Sequence, residues 1–275
     1  MPGIVRWVIV SSLMKTSLCP RGWVGEGMQS KVSSTSELKP ETLKLLKSVS
    51  TATLTTQLFR RGFRNLFMQG VAPLAKPNGE NMVGPAYTLR NIPAREDLDV
   101  LDIFLDPENP QRKAIESVPP GYVLVQDCRG DNTAASCGSI LTTRLKVRGA
   151  AGMVSDGPVR DSGVIAELGF PVFCAGASAP TNIIRHHSID LNIPIGCGGV
   201  AVYPGDIIVG DIDGVVVIPR QIAEELAADA AEQELMEEFI LHKVQSGARL
   251  PGTYPPDDGT RAAYLAWKSQ KSKRS

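Results

Sequence analysis

The pattern of apolar and polar positions predicts an alternating fold. Residues 40–47 and 51–61 read as helices, with Ser50 placed to cap the second and Gly62 to stop it. Short β-type runs follow at 65–68 and 82–90. Residues 98–104 and 110–118 read as helical, separated by Asp106-Pro107-Glu108-Asn109. Pro119-Pro120-Gly121 then breaks the chain before a buried strand at 122–126, with Val-Leu-Val at its centre. From there the pattern is helix (138–148, ending at Gly149), strand (151–155), helix (162–168, ending at Gly169) and strand (171–174). That alternation predicts a parallel α/β core.

The next block changes character. Residues 193–218 hold short β runs separated by Gly196-Cys197-Gly198-Gly199, Pro204-Gly205-Asp206 and Asp213-Gly214. The Asp-Gly pair between runs 207–209 and 215–218 is a strong hairpin signal. After Pro219, residues 221–244 predict a long helix that offers Ile222, Leu226, Ala230, Leu235, Phe239 and Ile240 for burial. No internal repeat occurs. One domain over 38–250 accounts for these elements, flanked by a 1–37 extension expected to be disordered and a 251–275 tail. The basic end from Lys268 is expected to be a solvated terminus. Met28 is a candidate start within the extension, and a targeting peptide is the other reading of it.

Composition narrows the function classes. Of 275 residues, 43% are hydrophobic and 21% charged, as in an ordinary globular protein. Lys+Arg is 29 and Asp+Glu is 29, a balance that argues against a dedicated nucleic-acid binder. No apolar run approaches the roughly 20 residues of a membrane span, so no membrane partner is expected. Cys19, Cys128, Cys137, Cys174 and Cys197 are odd in number and include no C-x-x-C, which points to a reducing cytoplasm rather than a disulfide or zinc framework.

The candidate chemistry lies in 137–161. Gly138 opens a helix, so the amides of Ser139, Ile140 and Leu141 are free to bind an anion. A strand then ends in Asp156-Gly157, and its loop delivers Arg160 and Asp161. Both loops leave the carboxyl ends of parallel strands, where ligand sites form. Amides and a guanidinium suit a carboxylate, and an adjacent Asp suits a hard cation. The same residues also admit a plainer account: Asp161 caps the helix from Ser162, and Arg160 pairs with it or with Glu167 on the surface.

The string Gly138, Arg148-Gly149, Gly152, Val154, Asp156-Gly157, Arg160-Asp161 resembles the ribonuclease E activity regulator-like (RraA-like) family, which includes metal-dependent 4-hydroxy-4-methyl-2-oxoglutarate aldolases. The helix start at Ser50-Thr51-Ala52-Thr53-Leu54 and the block from Gly205-Asp206 to Pro219 are similar to the family too, so the resemblance covers about 45–240. It implies a single α/β domain of swivelling type, a phosphohistidine-domain-like α/β/α sandwich with a long C-terminal helix, assembled as a homotrimer or dimer of trimers. It also implies a lyase acting on a 2-oxo acid through a pyruvate enolate, with oxaloacetate decarboxylation as a companion activity and Mg²⁺ or Mn²⁺ as cofactor. Arg160 would bind the 2-oxo acid and stabilise its enolate, Asp161 would hold the metal, and the amides of Ile140 and Leu141 would hold the carboxylate. Cleavage or dehydration of a 3-deoxy-2-oxo sugar acid, or a non-catalytic regulator, are the other activities that the resemblance admits.

The sequence departs from the aldolases at Ser139, where an Asp is usual, and at Thr56-Gln57. Arg129 and Asp131, just past a strand end, are expected to compensate as a substrate-carboxylate contact and a water-positioning acid. Because family sites lie at subunit interfaces, Glu234, Glu237 or Glu238 could complete a neighbour's metal shell; the plainer expectation is a solvated helix face. Four further features carry little. Cys137 at a helix start is a minor nucleophile candidate. His186-His187 read as a loop pair, Asp211-Ile212-Asp213-Gly214 as a hairpin turn rather than a calcium loop, and Arg129-Gly130-Asp131 as a chance adhesion tripeptide.

Overall fold

The structure is a computed structural model and describes residues 38–77 and 79–272. The 1–37 extension lies outside the described residues. In chain order the elements are α1 (Pro40–Leu46), α2 (Thr51–Arg60), β1 (Ala72–Pro73), β2 (Met82–Pro93), α3 (Pro110–Ser117), β3 (Val123–Asp127), α4 (Ser139–Val147), β4 (Gly152–Ser155), α5 (Ser162–Glu167), β5 (Val172–Cys174), β6 (His186–Leu191), β7 (Ile195–Cys197), β8 (Val200–Val202), β9 (Ile207–Gly210), β10 (Val215–Ile218), α6 (Ala223–Gln245) and α7 (Asp258–Ser272).

β2, β3, β4 and β5 pair in parallel, which is the core that the alternation predicts. Antiparallel partners make the whole sheet mixed. β9 pairs with the first half of β2 and β6 with its second half, across a bulge between Arg90 and Asn91. β9 and β10 form the predicted Asp-Gly hairpin, with Val215 opposite Gly210. The result is an eight-stranded sheet, with β7 and β8 as a separate hairpin.

Successive strand residues point to opposite faces, and the burial follows that rule. Leu124, Met153 and Val172 pack beneath α3, α4 and α5, with Leu145 and Ile165 from those helices. Their neighbours Val125, Val154 and Phe173 face the other way, against β7, β8 and the inner side of the hairpin. In the hairpin, Val216 and Ile218 meet Leu54, Leu58, Leu226 and Ala230 of α2 and α6. Strands covered on both faces are continuously apolar, which is why they read as unbroken runs. Each fully buried Leu or Val contributes about 1.5–3 kcal/mol.

Four expectations are corrected. Residues 65–68 form no strand; Phe67 makes an isolated bridge to Val216. Residues 98–104 yield a 3-10 turn over Leu101–Leu105 instead of an α-helix. Leu98, Val100, Leu101 and Leu105 stay exposed there, so no apolar face docks to sustain a helix. His186 and His187 begin β6 rather than a loop, because the second half of β2 offers a free edge to pair with. The 251–275 tail contains α7, so Lys268, though partly exposed, stands on a helix and not on a free end. Tyr264 and Trp267, three residues apart, share a helix face and stack on Phe239 of α6 at 5.9 and 5.5 Å between ring centroids. Lys268 and the Tyr264 hydroxyl both reach Glu232, at 2.5 and 2.8 Å.

Candidate active site

β3, β4 and β5 end at a common rim, and the loops that leave it are joined to one another. Ser136 donates its amide to the Pro158 carbonyl at 2.7 Å, and Arg160 donates its own to the Cys137 carbonyl at 3.0 Å. Val159 and Ser178 bond in the same way to Gly176 and Val159, so Cys137, Val159 and Ala177 form a second tier of parallel bridges beyond the sheet. Asp156 anchors this tier. Its carboxylate accepts from the amides of Cys128 (2.6 Å), Gly130 (3.1 Å) and Gly198 (3.3 Å). Burial pushes its pKa up and these amides oppose the rise. Gly157 is required beside it, since a Cβ there would lie 2.8 Å from Cys128 Cβ. The Asp-Gly pair of the motif is therefore scaffolding for the residues that follow.

Asp161 decides between the two accounts of the motif. It precedes α5 but makes no side-chain cap, and its backbone is left-handed at φ 56°, ψ 34°. A non-glycine residue held there costs about 1 kcal/mol or more, and such strain gathers at functional sites. The left-handed turn points the carboxylate away from α5 and towards α4. Oδ2 accepts from the amide (3.1 Å) and hydroxyl (3.0 Å) of Ser139. Those two bonds, the amide first, hold its carboxyl below the usual range, with a smaller contribution from Arg160. Oδ1 has only a loose approach to Arg160 Nε, at 3.8 Å, and Arg160 forms no ion pair with Glu167. The carboxylate is thus ionised, about 40% exposed, and has one oxygen open to a ligand.

Gly138 allows the arrangement. A Cβ there would lie 3.0 Å from Arg160 Cγ and 3.1 Å from Asp161 Oδ2. Ser139, Ile140 and Leu141 form the first turn of α4, so the amides of Ile140 and Leu141 remain unpaired within the helix and belong to the positive end of its dipole. Gly138, Ser139, Ile140, Leu141, Arg160 and Asp161 line one cavity of about 290 Å³, near the small end of ligand pockets at roughly 300 Å³. Phe104, Arg112 and Asn182 line it too. None of these three was legible in the sequence, because they come from separate segments, Phe104 from the 3-10 turn, Arg112 from α3 and Asn182 from the turn before β6, that only the fold brings together.

Arg129 and Asp131 do not join this cavity. Arg129, itself left-handed at φ 59°, donates to the Arg185 carbonyl and lines a separate cavity with Asp127 and Asp156. Asp131 accepts from the Thr133 amide and hydroxyl and from Arg185 Nε at 2.9, 2.5 and 2.9 Å. Burial opposes its ionisation, but these bonds hold its carboxyl well below the usual range. Both of its oxygens are therefore taken up in the loop.

The minor candidates resolve as structure. Cys137 is buried, and burial pushes its thiol up to about 11, so the helix start does not activate it. His187 pairs with Asp99 at 2.8 Å and His186 is buried against Ala134. Asp211 accepts from the Thr51 amide and hydroxyl and the Asp213 amide, which fixes α2 to the hairpin. Glu234 accepts from the Ser50 amide and hydroxyl at 2.8 and 2.6 Å, so it is a packed contact rather than a solvated face. Gln57 is buried against Gln233 of α6.

Known proteins share this arrangement of elements. The RraA-like family profile, described as Aldolase/RraA, matches residues 51–217. The chain belongs to the RraA-like family. One relative in the family, from Halalkalibacterium halodurans and provisionally named a 4-hydroxy-4-methyl-2-oxoglutarate aldolase, is 39% identical over 59% of this chain and 72% of its own length. Protein DlpA of Legionella pneumophila is 30% identical over 78% of this chain but only 33% of its own length. Among solved structures, Streptomyces coelicolor RraAS2, described as an unusual member of the RNase ES inhibitor RraA family, is 33% identical with a TM-score of 0.65, covering 74% of this chain and 97% of that one. A Pseudomonas syringae protein aligns with a TM-score of 0.70 at 25% identity over 81% of this chain and 97% of its own.

Proposed function

We propose that this RraA-like protein is a lyase that breaks a C–C bond of a 2-oxo acid through a pyruvate enolate. One observation carries the reading: an ionised Asp161 with an open oxygen stands beside Arg160 and the free amides of a helix start, in one small cavity. In this reading the amides of Ile140 and Leu141 hold the substrate carboxylate, and the Arg160 guanidinium faces the 2-oxo oxygen. As the C3–C4 bond breaks, its electron pair moves into a C2–C3 double bond and charge builds on that oxygen. A fixed donor placed where charge develops lowers the barrier most. The C4 fragment leaves as a carbonyl compound after loss of its hydroxyl proton, or as CO₂ when C4 is a carboxylate. Protonation at C3 gives pyruvate.

A divalent ion fits the donor set in a limited sense. No group of three or more His, Cys, Asp or Glu is gathered among the described residues, so no protein cage exists. Mg²⁺ commonly binds through one or two carboxylates, with waters and substrate oxygens filling the rest. Asp161 Oδ1 is such a carboxylate oxygen, and the Ser139 hydroxyl can hold a water beside it. Mg²⁺ or Mn²⁺ bound there would supply Lewis-acid polarisation of the 2-oxo group. Ser139 brings no charge where the aldolases carry an Asp, so Asp161 stands as the single acid.

The proposal extends to a trimer or dimer of trimers in a reducing cytoplasm, and to the swivelling arrangement of the fold. Leu101, Leu105, Ile140 and Val147, each at least 70% exposed, supply apolar surface for such an assembly. Cys128, Cys137, Cys174 and Cys197 are free thiols. No helix among the described residues is long and apolar enough to cross a membrane. A non-catalytic regulator is the second reading, favoured by the RraAS2 likeness and by Ser139. Pyruvate release from oxaloacetate and from 4-hydroxy-4-methyl-2-oxoglutarate, with Mg²⁺ or Mn²⁺ and with EDTA, tests the proposal. Release above the metal-only rate supports the lyase. No release, together with no metal binding, supports the regulator.

A further inference from the structure

Arg112 lines the same cavity as Arg160 and Asp161, yet it faces no anion. It is the third residue of α3, where its amide donates to the Asn109 cap at 3.2 Å. The neighbouring cations are all engaged. Lys113 pairs with Glu108, Arg144 and Arg148 approach Glu116, and Lys146 donates to the Leu168 carbonyl. Arg112, half-buried, has no acceptor among the described residues; its guanidinium lies over the Phe104 ring, 4.5 Å from the centroid. Stacking of this kind fixes the plane of the guanidinium while leaving its N–H edge free, so little freedom is lost when an anion docks.

The charge in the cavity points the same way. Two guanidiniums and the start of α4 line the cavity with a single carboxylate, Asp161, which is already bonded to Ser139. A 2-oxo acid with one carboxylate would satisfy the α4 amides and Arg160 and leave Arg112 without a partner. A second carboxylate at the far end of the substrate would meet Arg112 as a two-pronged ion pair.

We infer that Arg112, stacked on Phe104, is a specificity-determining residue that binds the distal carboxylate of a 2-oxo dicarboxylate. The inference rests on the reading of this cavity as a 2-oxo-acid site. It excludes the uncharged tail of a sugar acid as the preferred substrate, because a site built for a charged group discriminates against an analogue that lacks it.

The test is binding to the full chain with Mg²⁺, measured by calorimetry with ligands that cannot be cleaved. 2-Oxoglutarate and 2-oxovalerate share a five-carbon chain and differ in the distal carboxylate; oxalate occupies only the Arg160 half. Wild type is expected to bind 2-oxoglutarate about ten- to a hundredfold more tightly than 2-oxovalerate. Arg112→Gln is expected to bring that ratio near one by weakening 2-oxoglutarate alone, with oxalate binding and the thermal midpoint unchanged. Arg112→Lys should restore part of the ratio. A wild type that does not discriminate, or an Arg112→Gln variant that keeps the ratio, overturns the inference. Binding with discrimination but without pyruvate release from any cleavable substrate overturns the lyase and leaves this assignment standing. Failure of all three ligands to bind wild type overturns the site and the assignment together.

Discussion

Two aspartates in this molecule make the same first contact and end in different roles. Asp211 and Asp161 each reach from a loop to the first residue of a helix and accept both its amide and its hydroxyl, on Thr51 of α2 and Ser139 of α4. Asp211 is buried and also accepts the Asp213 amide, so both its oxygens are used. Asp161 is exposed, stands on a left-handed backbone and uses one oxygen only. The contact itself is therefore uninformative. Burial and saturation make a brace, whereas exposure, strain and an open oxygen make a candidate ligand. Saturation is the rule at the strand rim as well, where Asp156 and Asp131 are fully bonded, and Asp161 departs from it.

The largest expected effects fall on this pair. Asp161→Ala should lower metal-dependent pyruvate release by about a hundredfold or more, as loss of a group that acts in the transition state does, with little change in thermal stability. Asp211→Ala should do the reverse, destabilising the fold by about 3 kcal/mol through stranded donors at Thr51 and Asp213, with a specific activity close to wild type in the folded fraction. Rates and denaturant midpoints on both proteins check this, and equal behaviour would break the comparison.

Gly138→Ala is next in size. The backbone at φ −124° accepts alanine, but the new Cβ would crowd Arg160 Cγ at 3.0 Å and Asp161 Oδ2 at 3.1 Å. Activity should fall by about tenfold or more through displaced groups, while urea midpoints stay near wild type. Ser139→Ala gives a smaller effect. It removes one of the two bonds that hold the Asp161 carboxyl low, so that pKa should rise. The acid limb of the rate profile should then move to higher pH, and an unmoved limb would show that Asp161 does not govern it.

How much could be read in advance follows the same division. The parallel core was legible because its strands are buried on both faces and bounded by Gly and Pro. The Asp-Gly hairpin was legible from its turn chemistry alone. Gly138, Arg160 and Asp161 were legible as a spacing, and the structure brings them to one cavity. Arg112 and Phe104 were not, because their place depends on how α3 and the 3-10 turn before it meet α4, which no local pattern encodes. Arg129 and Asp131 misled, since a position past a strand end does not say which neighbouring loop takes up the side chain. The end of the chain misled too, because Tyr264 and Trp267 have a partner only once Phe239 of α6 is placed.

The smallest expected effect is a control far from the chemistry. Burial raises Asp206 from 3.8 to about 6, despite the amides of Tyr203 and Arg220. The folded state then binds more protons than the unfolded state between those values, so stability should fall as pH rises through that window. Asp206→Asn should flatten that slope in a series of denaturant midpoints, without moving the acid limb of the rate profile.

The central claim is that the exposed, strained and ionised Asp161 is the metal-holding carboxylate on which the chemistry of this site depends. The most direct test is pyruvate release from oxaloacetate by wild type and Asp161→Asn, each with Mg²⁺, with EDTA, and corrected for the metal-only rate. The account predicts release by wild type that EDTA abolishes and that Asp161→Asn lacks while remaining folded. Undiminished release by folded Asp161→Asn would contradict it.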